Sequence, residues 1–162
     1  MNDSSPTAII KRTTLLVRDI AAASQWYQQV LGMSIYYDDE VVLSGVGMAA
    51  GKAGDRTHLV ILKAKDPVIG MIGLLQWIDP PMPAPDVPKT VSYGNPTFVV
   101  STADATGAHE RAKKLGTHVH AAPHEWSIRG ANGMIKHFIG VSLFDPDGHF
   151  YEINQLVRET AD

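Results

Sequence analysis

The sequence predicts an α+β protein: two tandem βαβββ modules whose curved sheets form a cleft. Three observations lead there. A strand–helix–strands order occurs twice. A proline-rich stretch separates the two occurrences. A glycine follows each helix at the equivalent point.

In the first occurrence, Ile9–Val17 is rich in Thr, Leu, Ile and Val and reads as a strand. Asp19 stands where a helix N-cap belongs, and Ala23, Trp26, Tyr27, Val30 and Leu31 recur at helical spacing over Ile20–Leu31. Gly32 suits a left-handed C-cap. Ser34–Leu43, His58–Lys63 and Met71–Ile78 are strand-like; Asp38-Asp39-Glu40 marks a bend or exposed edge, and Gly51–Arg56 a turn. Asp79–Thr90 then carries Pro80, Pro81, Pro83, Pro85 and Pro88, which exclude helix and central strand and make it a linker.

The pattern restarts with a strand over Asn95–Ser101. A helix follows over Asp104–Leu115, with Ala105, Ala108, Ala112 and Leu115 on its apolar side, and Gly116 ends it. His118–Ala122, Met134–Phe144 and Phe150–Val157 are strand-like, and Phe144-Asp145-Pro146-Asp147-Gly148 is a strong turn signal before the last of them. Arg12 aligns with Asn95 and Gly73 with Glu152, so element order repeats although residue identity does not. The boundaries that follow are a tail over 1–8, module one over 9–78, the linker over 79–90, module two over 91–157, and a tail over 158–162. One module covers only one face of its sheet with its helix. The open faces are what would line a small-molecule cleft.

Composition narrows the function. The chain has 162 residues, 44% of them hydrophobic, enough for a sizeable core. A formal net charge of -3 and the lack of a basic stripe argue against nucleic acid. Without cysteine there is no disulfide, thiolate metal site or thiol nucleophile. The polar start, Met1–Thr7, does not read as a signal peptide, and no apolar run approaches membrane-spanning length; a soluble cytoplasmic protein is expected.

Val17-Arg18-Asp19-Ile20 followed by Trp26-Tyr27-Gln28-Gln29-Val30-Leu31-Gly32, and Phe144-Asp145-Pro146-Asp147-Gly148 followed by Tyr151-Glu152-Ile153, together resemble the opening and closing signatures of the vicinal oxygen chelate superfamily, which includes glyoxalases, bleomycin resistance proteins and extradiol dioxygenases. The resemblance spans roughly residues 9–157. It implies the paired-module fold, a small-molecule ligand, a homodimer, and in the enzymes one divalent metal held by His and Glu. It places the metal positions at Arg12, Gly73, Asn95 and Glu152.

Of these, only Glu152 is a usual ligand. Arg12 has no lone pair to offer, Gly73 has no side chain, and Asn95 is a weak oxygen donor. The expectation is therefore no metal cofactor. If a metal is present, Glu152 and Asn95 would hold it, with His120, His124 and His137 as alternates; His118 is close in sequence to these, with His118 and His120 on one strand face. His149 is expected to face solvent and His109 to lie on the helix surface. Strand alternation sends Arg12, Thr14, Leu16, Gly73, Leu75 and Trp77 of module one to the cleft, and Asn95, Thr97, Val99, Phe150, Glu152 and Asn154 of module two. Tyr36, Tyr37, Trp126 and Met134 are further candidates, and Glu125–Met134 is expected to form a loop over the cleft mouth.

Arg12 and Glu152 are expected to share the cleft. They would either pair, or act together: Arg12 binding an oxygen-rich or anionic substrate and Glu152 serving as general base. Three functions follow. The first is a lyase or isomerase acting on a small aromatic or carbonyl-bearing metabolite without the usual metal. The second is a metal-free protein that binds an antibiotic or other hydrophobic compound. The third is a metal-dependent glyoxalase-like lyase or dioxygenase. One fold hosts all three.

Overall fold

The structure, a computed structural model, describes residues 6–161. Residues 1–5 of the expected N-terminal tail, and residue 162, lie outside the described residues. The first half contains β1 (Arg12–Leu16), α1 (Ile20–Val30), β2 (Ser34–Val42), β3 (Arg56–Lys63) and β4 (Met71–Asp79). The second contains β5 (Thr97–Ser101), α2 (Ala105–Lys114), β6 (Val119–Arg129), β7 (Ile135–Phe144) and β8 (Phe150–Thr160). Two four-stranded sheets result, ordered β1-β4-β3-β2 and β5-β8-β7-β6. In each, the first and last strands run parallel and the other pairs antiparallel. The two-module α+β fold is thus as the sequence predicts.

The repeat extends to individual atoms. Asp19 Oδ1 accepts from the Ala22 amide at 3.0 Å, and Asp104 Oδ1 from the Gly107 amide at 2.8 Å. Gln76 on β4 accepts the first amide of α1, Ile20, at 2.8 Å; Gln155 on β8 accepts the first amide of α2, Ala105, at 3.1 Å. Each helix start is therefore satisfied by a local aspartate and by a glutamine from its parallel-paired strand. Gly32 and Gly116 close the helices at φ 68° and 70°.

The chain divides into two compact units. One runs through Ser24 and resumes over Gly32–Ala84; the other holds Gln25–Leu31 and everything from Pro85. In the first, Leu15, Val60, Leu62, Ile72 and Leu74 are buried on one sheet face. In the second, Val141, Leu143, Tyr151 and Ile153 are buried with Ala105, Ala108 and Ala112 of α2 and with Trp26 and Tyr27. Each of the larger aliphatic side chains contributes about 1.5–3 kcal/mol by leaving water, and each alanine methyl less.

The sequence boundaries keep α1 wholly in module one, whereas its C-terminal half belongs with the second unit. The reason is chemical. Trp26 Nε1 donates to Thr117 Oγ1 at 2.8 Å, and the Trp26 and Tyr27 rings lie 5.5 and 5.9 Å from that of Tyr151. Several element limits also differ from expectation: β1 starts at Arg12 and β3 at Arg56, and three differences bear on the second sheet. β5 starts at Thr97, because Asn95 turns back on Ser92 through two hydrogen bonds. β8 runs on to Thr160. Glu125–Met134 is not a loop over a cleft: residues 125–129 pair with β7, and Gly130–Met134 closes a hairpin. Pro123 hid this long strand; it is tolerated because β6 is a sheet edge, bulged between Ala121 and His124. Among the described residues no helix is long and apolar enough to cross a membrane.

Candidate functional site

Strand alternation in the second unit buries Tyr151 and Ile153 beneath the helices and turns Phe150, Glu152 and Asn154 to the opposite face. Register adds neighbours: Thr97 and Val99 on β5 stand opposite Phe150 and Glu152, and Gly140 and Ser142 on β7 stand opposite Asn154 and Glu152. A cavity of about 490 Å³ opens on this face, lined by His120, His124, Trp126, Gly140, Ser142, Phe150, Glu152 and Asn154 among others. That volume suits a small ligand.

Trp126 is the best-held wall. Its ring stacks on Phe138 with centroids 4.7 Å apart and planes 17° apart. Its Nε1 donates to Asn154 Oδ1 at 3.1 Å. It also lies so close to β7 that a Cβ on Gly140 would come within 2.6 Å of that nitrogen. Only glycine at 140 leaves room for the indole. His120 meets the Phe150 ring edge-on at 6.0 Å, and His124 Nδ1 bonds the Ala122 carbonyl at 2.9 Å. Glu152 is half-buried, and among the described residues its carboxylate has no hydrogen-bond or ion-pair partner. A half-buried carboxylate without a partner is the feature of this face that most needs an explanation.

The second-unit candidates fall as follows. Phe150, Glu152 and Asn154 line the cavity. Thr97 and Val99 share its face, and Val99 is 70% exposed. Asn95 lies outside β5, its Oδ1 taken by the Ser92 amide at 3.2 Å, beside a recess of about 80 Å³. In the first unit, Arg12 donates from Nε to Thr14 Oγ1 at 3.1 Å and lies across Gly73, where a Cβ would stand 3.2 Å from Arg12 Cδ. Leu16 is 40% exposed, whereas Leu75 is buried. Trp77 is 6% exposed; its Nε1 donates to Asp55 Oδ2 at 3.1 Å, and a Cβ on Gly51 would lie 2.7 Å from it. The loop before β3 therefore encloses Trp77. Sequence reasoning did not find Phe138, Gly140 or Ser142; a glycine inside an otherwise apolar strand was the available signal.

The donor set does not fit the divalent metal that the resemblance implies. Of the four aligned positions only Glu152 offers a ligand of the usual kind. Among the described residues no three His, Asp or Glu side chains gather as a metal site. Of the alternates, His120 and His124 line the cavity with Glu152, whereas His137 lies apart from them on register. His137 sits opposite Ser127 and bonds Ser127 Oγ and Thr160 Oγ1 at 2.8 and 2.9 Å, whereas the start of β6, Val119, sits opposite Leu143 near the other end of β7.

Two other histidines depart from expectation. His109 is buried, its Nδ1 3.3 Å from Glu110 Oε1 without hydrogen-bond alignment. His149 does not simply face solvent: its Nδ1 donates to Asp145 Oδ2 at 2.8 Å. Asp145 is the centre of a buried network. It also accepts from Tyr27 Oη at 2.6 Å and from the amides of Asp147 and His149 at 2.9 and 2.8 Å. The Tyr151 hydroxyl meets that of Tyr27 at 2.7 Å. Since Tyr27 donates to the carboxylate, Tyr151 donates to Tyr27. Burial first, then Tyr151 and the Asp145 charge, hold the Tyr27 hydroxyl far above its ordinary range; burial, with Asp145, does the same to Tyr151.

These features define a paired-module protein with a cavity on one open sheet face. The chain belongs to the glyoxalase/bleomycin resistance protein/dioxygenase superfamily, whose family model matches residues 9–153. A glyoxalase family protein from Bacillus cereus is similar in fold: TM-score 0.78 at 12% identity, covering 96% of this chain and 99% of that one. The trypanothione-dependent glyoxalase I of Leishmania major has TM-score 0.60 at 14% identity, covering 92% and 87%. TnmS3, an antibiotic binding protein from a Streptomyces species, has TM-score 0.56 at 16% identity, covering 94% and 98%. No curated protein matches in sequence.

Proposed function

We propose that this protein is a lyase- or isomerase-type catalyst acting on a small aromatic or carbonyl-bearing molecule, with Glu152 moving the proton and no metal in the family's usual place. The observation that carries this reading is the unpaired, half-buried Glu152 carboxylate in a cavity of about 490 Å³ walled by Trp126 and Phe150. A carboxylate so placed is a general base once a carbon acid sits within about 3 Å of it. The aromatic walls supply stacking area for a flat substrate.

The same walls support a second reading, a metal-free protein that only binds its ligand; the antibiotic-binding fold neighbour is compatible with it. One experiment separates the two. Planar aromatic ketones that raise the melting temperature are incubated with the protein in D2O, and loss of the proton next to the carbonyl is followed by NMR. Catalysis requires exchange that Glu152→Gln abolishes while binding persists. Binding without exchange sinks the enzyme reading and leaves the binding one.

A further inference from the structure

The cavity contains a second polar group whose orientation is determined by its neighbour. Asn154 follows Glu152 by two positions on β8, so both side chains leave the same sheet face, about 7 Å apart along the strand. An indole N–H can only donate. The Trp126 Nε1 bond to Asn154 at 3.1 Å therefore engages the amide oxygen and decides which way round the amide sits. Its Nδ2 group, with two protons to donate, is the end Trp126 leaves for another partner. Trp126 is itself immobilised by its stack on Phe138 and its close approach to Gly140. The donor is thus oriented before any ligand arrives, as stabilisation of a developing charge requires.

We propose that Asn154, oriented by Trp126, donates from Nδ2 to the substrate's carbonyl oxygen and stabilises the negative charge that develops there. This rests on the reading of Glu152 as base. Glu152 takes the proton from the carbon beside the carbonyl. The C–H electron pair becomes the new C–C π bond, and the carbonyl π pair moves to the oxygen facing Asn154. Return of the proton from Glu152 to a carbon of the resulting enolate completes an isomerisation with no oxidant or reductant. The substrate class is accordingly a flat conjugated ketone or aldehyde with an acidic C–H next to the carbonyl. Asn154 touches the substrate and is a catalytic residue; Trp126 is a positioning residue.

The test uses 2-acetylnaphthalene and 2-ethylnaphthalene, which share a ring and differ in the carbonyl. Both are titrated into the full-length protein by fluorescence. The wild type should prefer the ketone by about tenfold, the worth of one buried hydrogen bond. Asn154→Asp keeps an acceptor for Trp126 but removes the donor, and should erase that preference while leaving the hydrocarbon bound. Trp126→Phe frees the amide to rotate and should shrink the preference without removing the ring wall. As a check independent of variant folding, the Asn154 side-chain amide resonances in the 15N-labelled wild type should show, on adding ketone, a downfield displacement beyond the ring-current shift that the hydrocarbon also causes. Equal binding of both probes by the wild type, an intact preference in Asn154→Asp, or an amide displacement no larger with ketone than with hydrocarbon would overturn the role of Asn154 while sparing the site. Failure of both probes to bind would overturn the site itself, and the role of Asn154 with it.

Discussion

The turn from β3 to β4 and the turn from β7 to β8 both rest on an Asp-Pro pair, Asp66-Pro67 and Asp145-Pro146. In both, one carboxylate oxygen accepts two backbone amides: Val68 and Ile69 for Asp66, Asp147 and His149 for Asp145. Asp66 stops there and stays in water. Asp145 is buried, and its second oxygen also takes the Tyr27 hydroxyl and the His149 ring. The open sheet faces diverge in the same way. On the first, Arg12 lies over Gly73, and the loop carrying Gly51 and Asp55 encloses Trp77. On the second, Glu152 replaces the glycine, and an aromatic wall stands beside an open cavity. One repeated topology thus carries one face occupied by its own side chains and one that keeps an open cavity. The residues that separate them are few.

The sharpest way to break the comparison is at the two turns. Asp145→Ala leaves the Tyr27 hydroxyl and two amides without their acceptor in the interior. It should cost about 3 kcal/mol or more in urea unfolding. A loss below about 1 kcal/mol would mean that the buried turn is no different from the exposed one.

Alkali reads the same network. In the folded protein Tyr27 and Tyr151 keep their protons well above the ordinary phenol value of 10.0. The unfolded chain loses them near that value. Protons are then bound more tightly in the folded state, so stability is constant below about pH 9 and falls above about pH 10, by about 1.4 kcal/mol per pH unit for each tyrosine. Unfolding midpoints measured from pH 8 to 11 should show this, and Tyr27→Phe should roughly halve the slope.

The two glycines sharpen the contrast between the faces. Gly140→Ala drives a methyl into the Trp126 indole, part of a stacked and hydrogen-bonded wall. It should cost about 1–2 kcal/mol and shift the Trp126 Nε1 proton resonance. Gly73→Ala meets the Thr14 hydroxyl and the Arg12 arm, both able to swing away, and should cost less than about 1 kcal/mol. Equal losses would remove the distinction.

The smallest effect belongs to Asp66. The Ile69 amide, then that of Val68, holds its carboxyl below the ordinary 3.8. A depressed folded value contributes stability above the unfolded value and loses it as pH falls through the folded one. Asp66→Ala should therefore lower the neutral unfolding midpoint slightly and flatten the acid limb, the variant and wild-type curves converging well below about pH 4.

By itself the sequence determined the repeat, both helices with their aspartate caps and glycine stops, the β7–β8 turn, and the side of β8 on which Glu152 and Asn154 lie. These are local or periodic properties: capping, turn chemistry and alternation act within a few residues. It also displayed Tyr27, Asp145 and Tyr151 as pieces of two signatures, without the reason they travel together. Only the tertiary structure decided that they meet in one buried network, that half of α1 belongs with the second unit, and that His109 and His149 are drawn in. It alone stretched β6 past Pro123 to present Trp126 over Gly140. Those outcomes depend on which distant groups satisfy a buried hydroxyl, indole or carboxylate, and partners far apart in the chain become neighbours only once the sheets have formed.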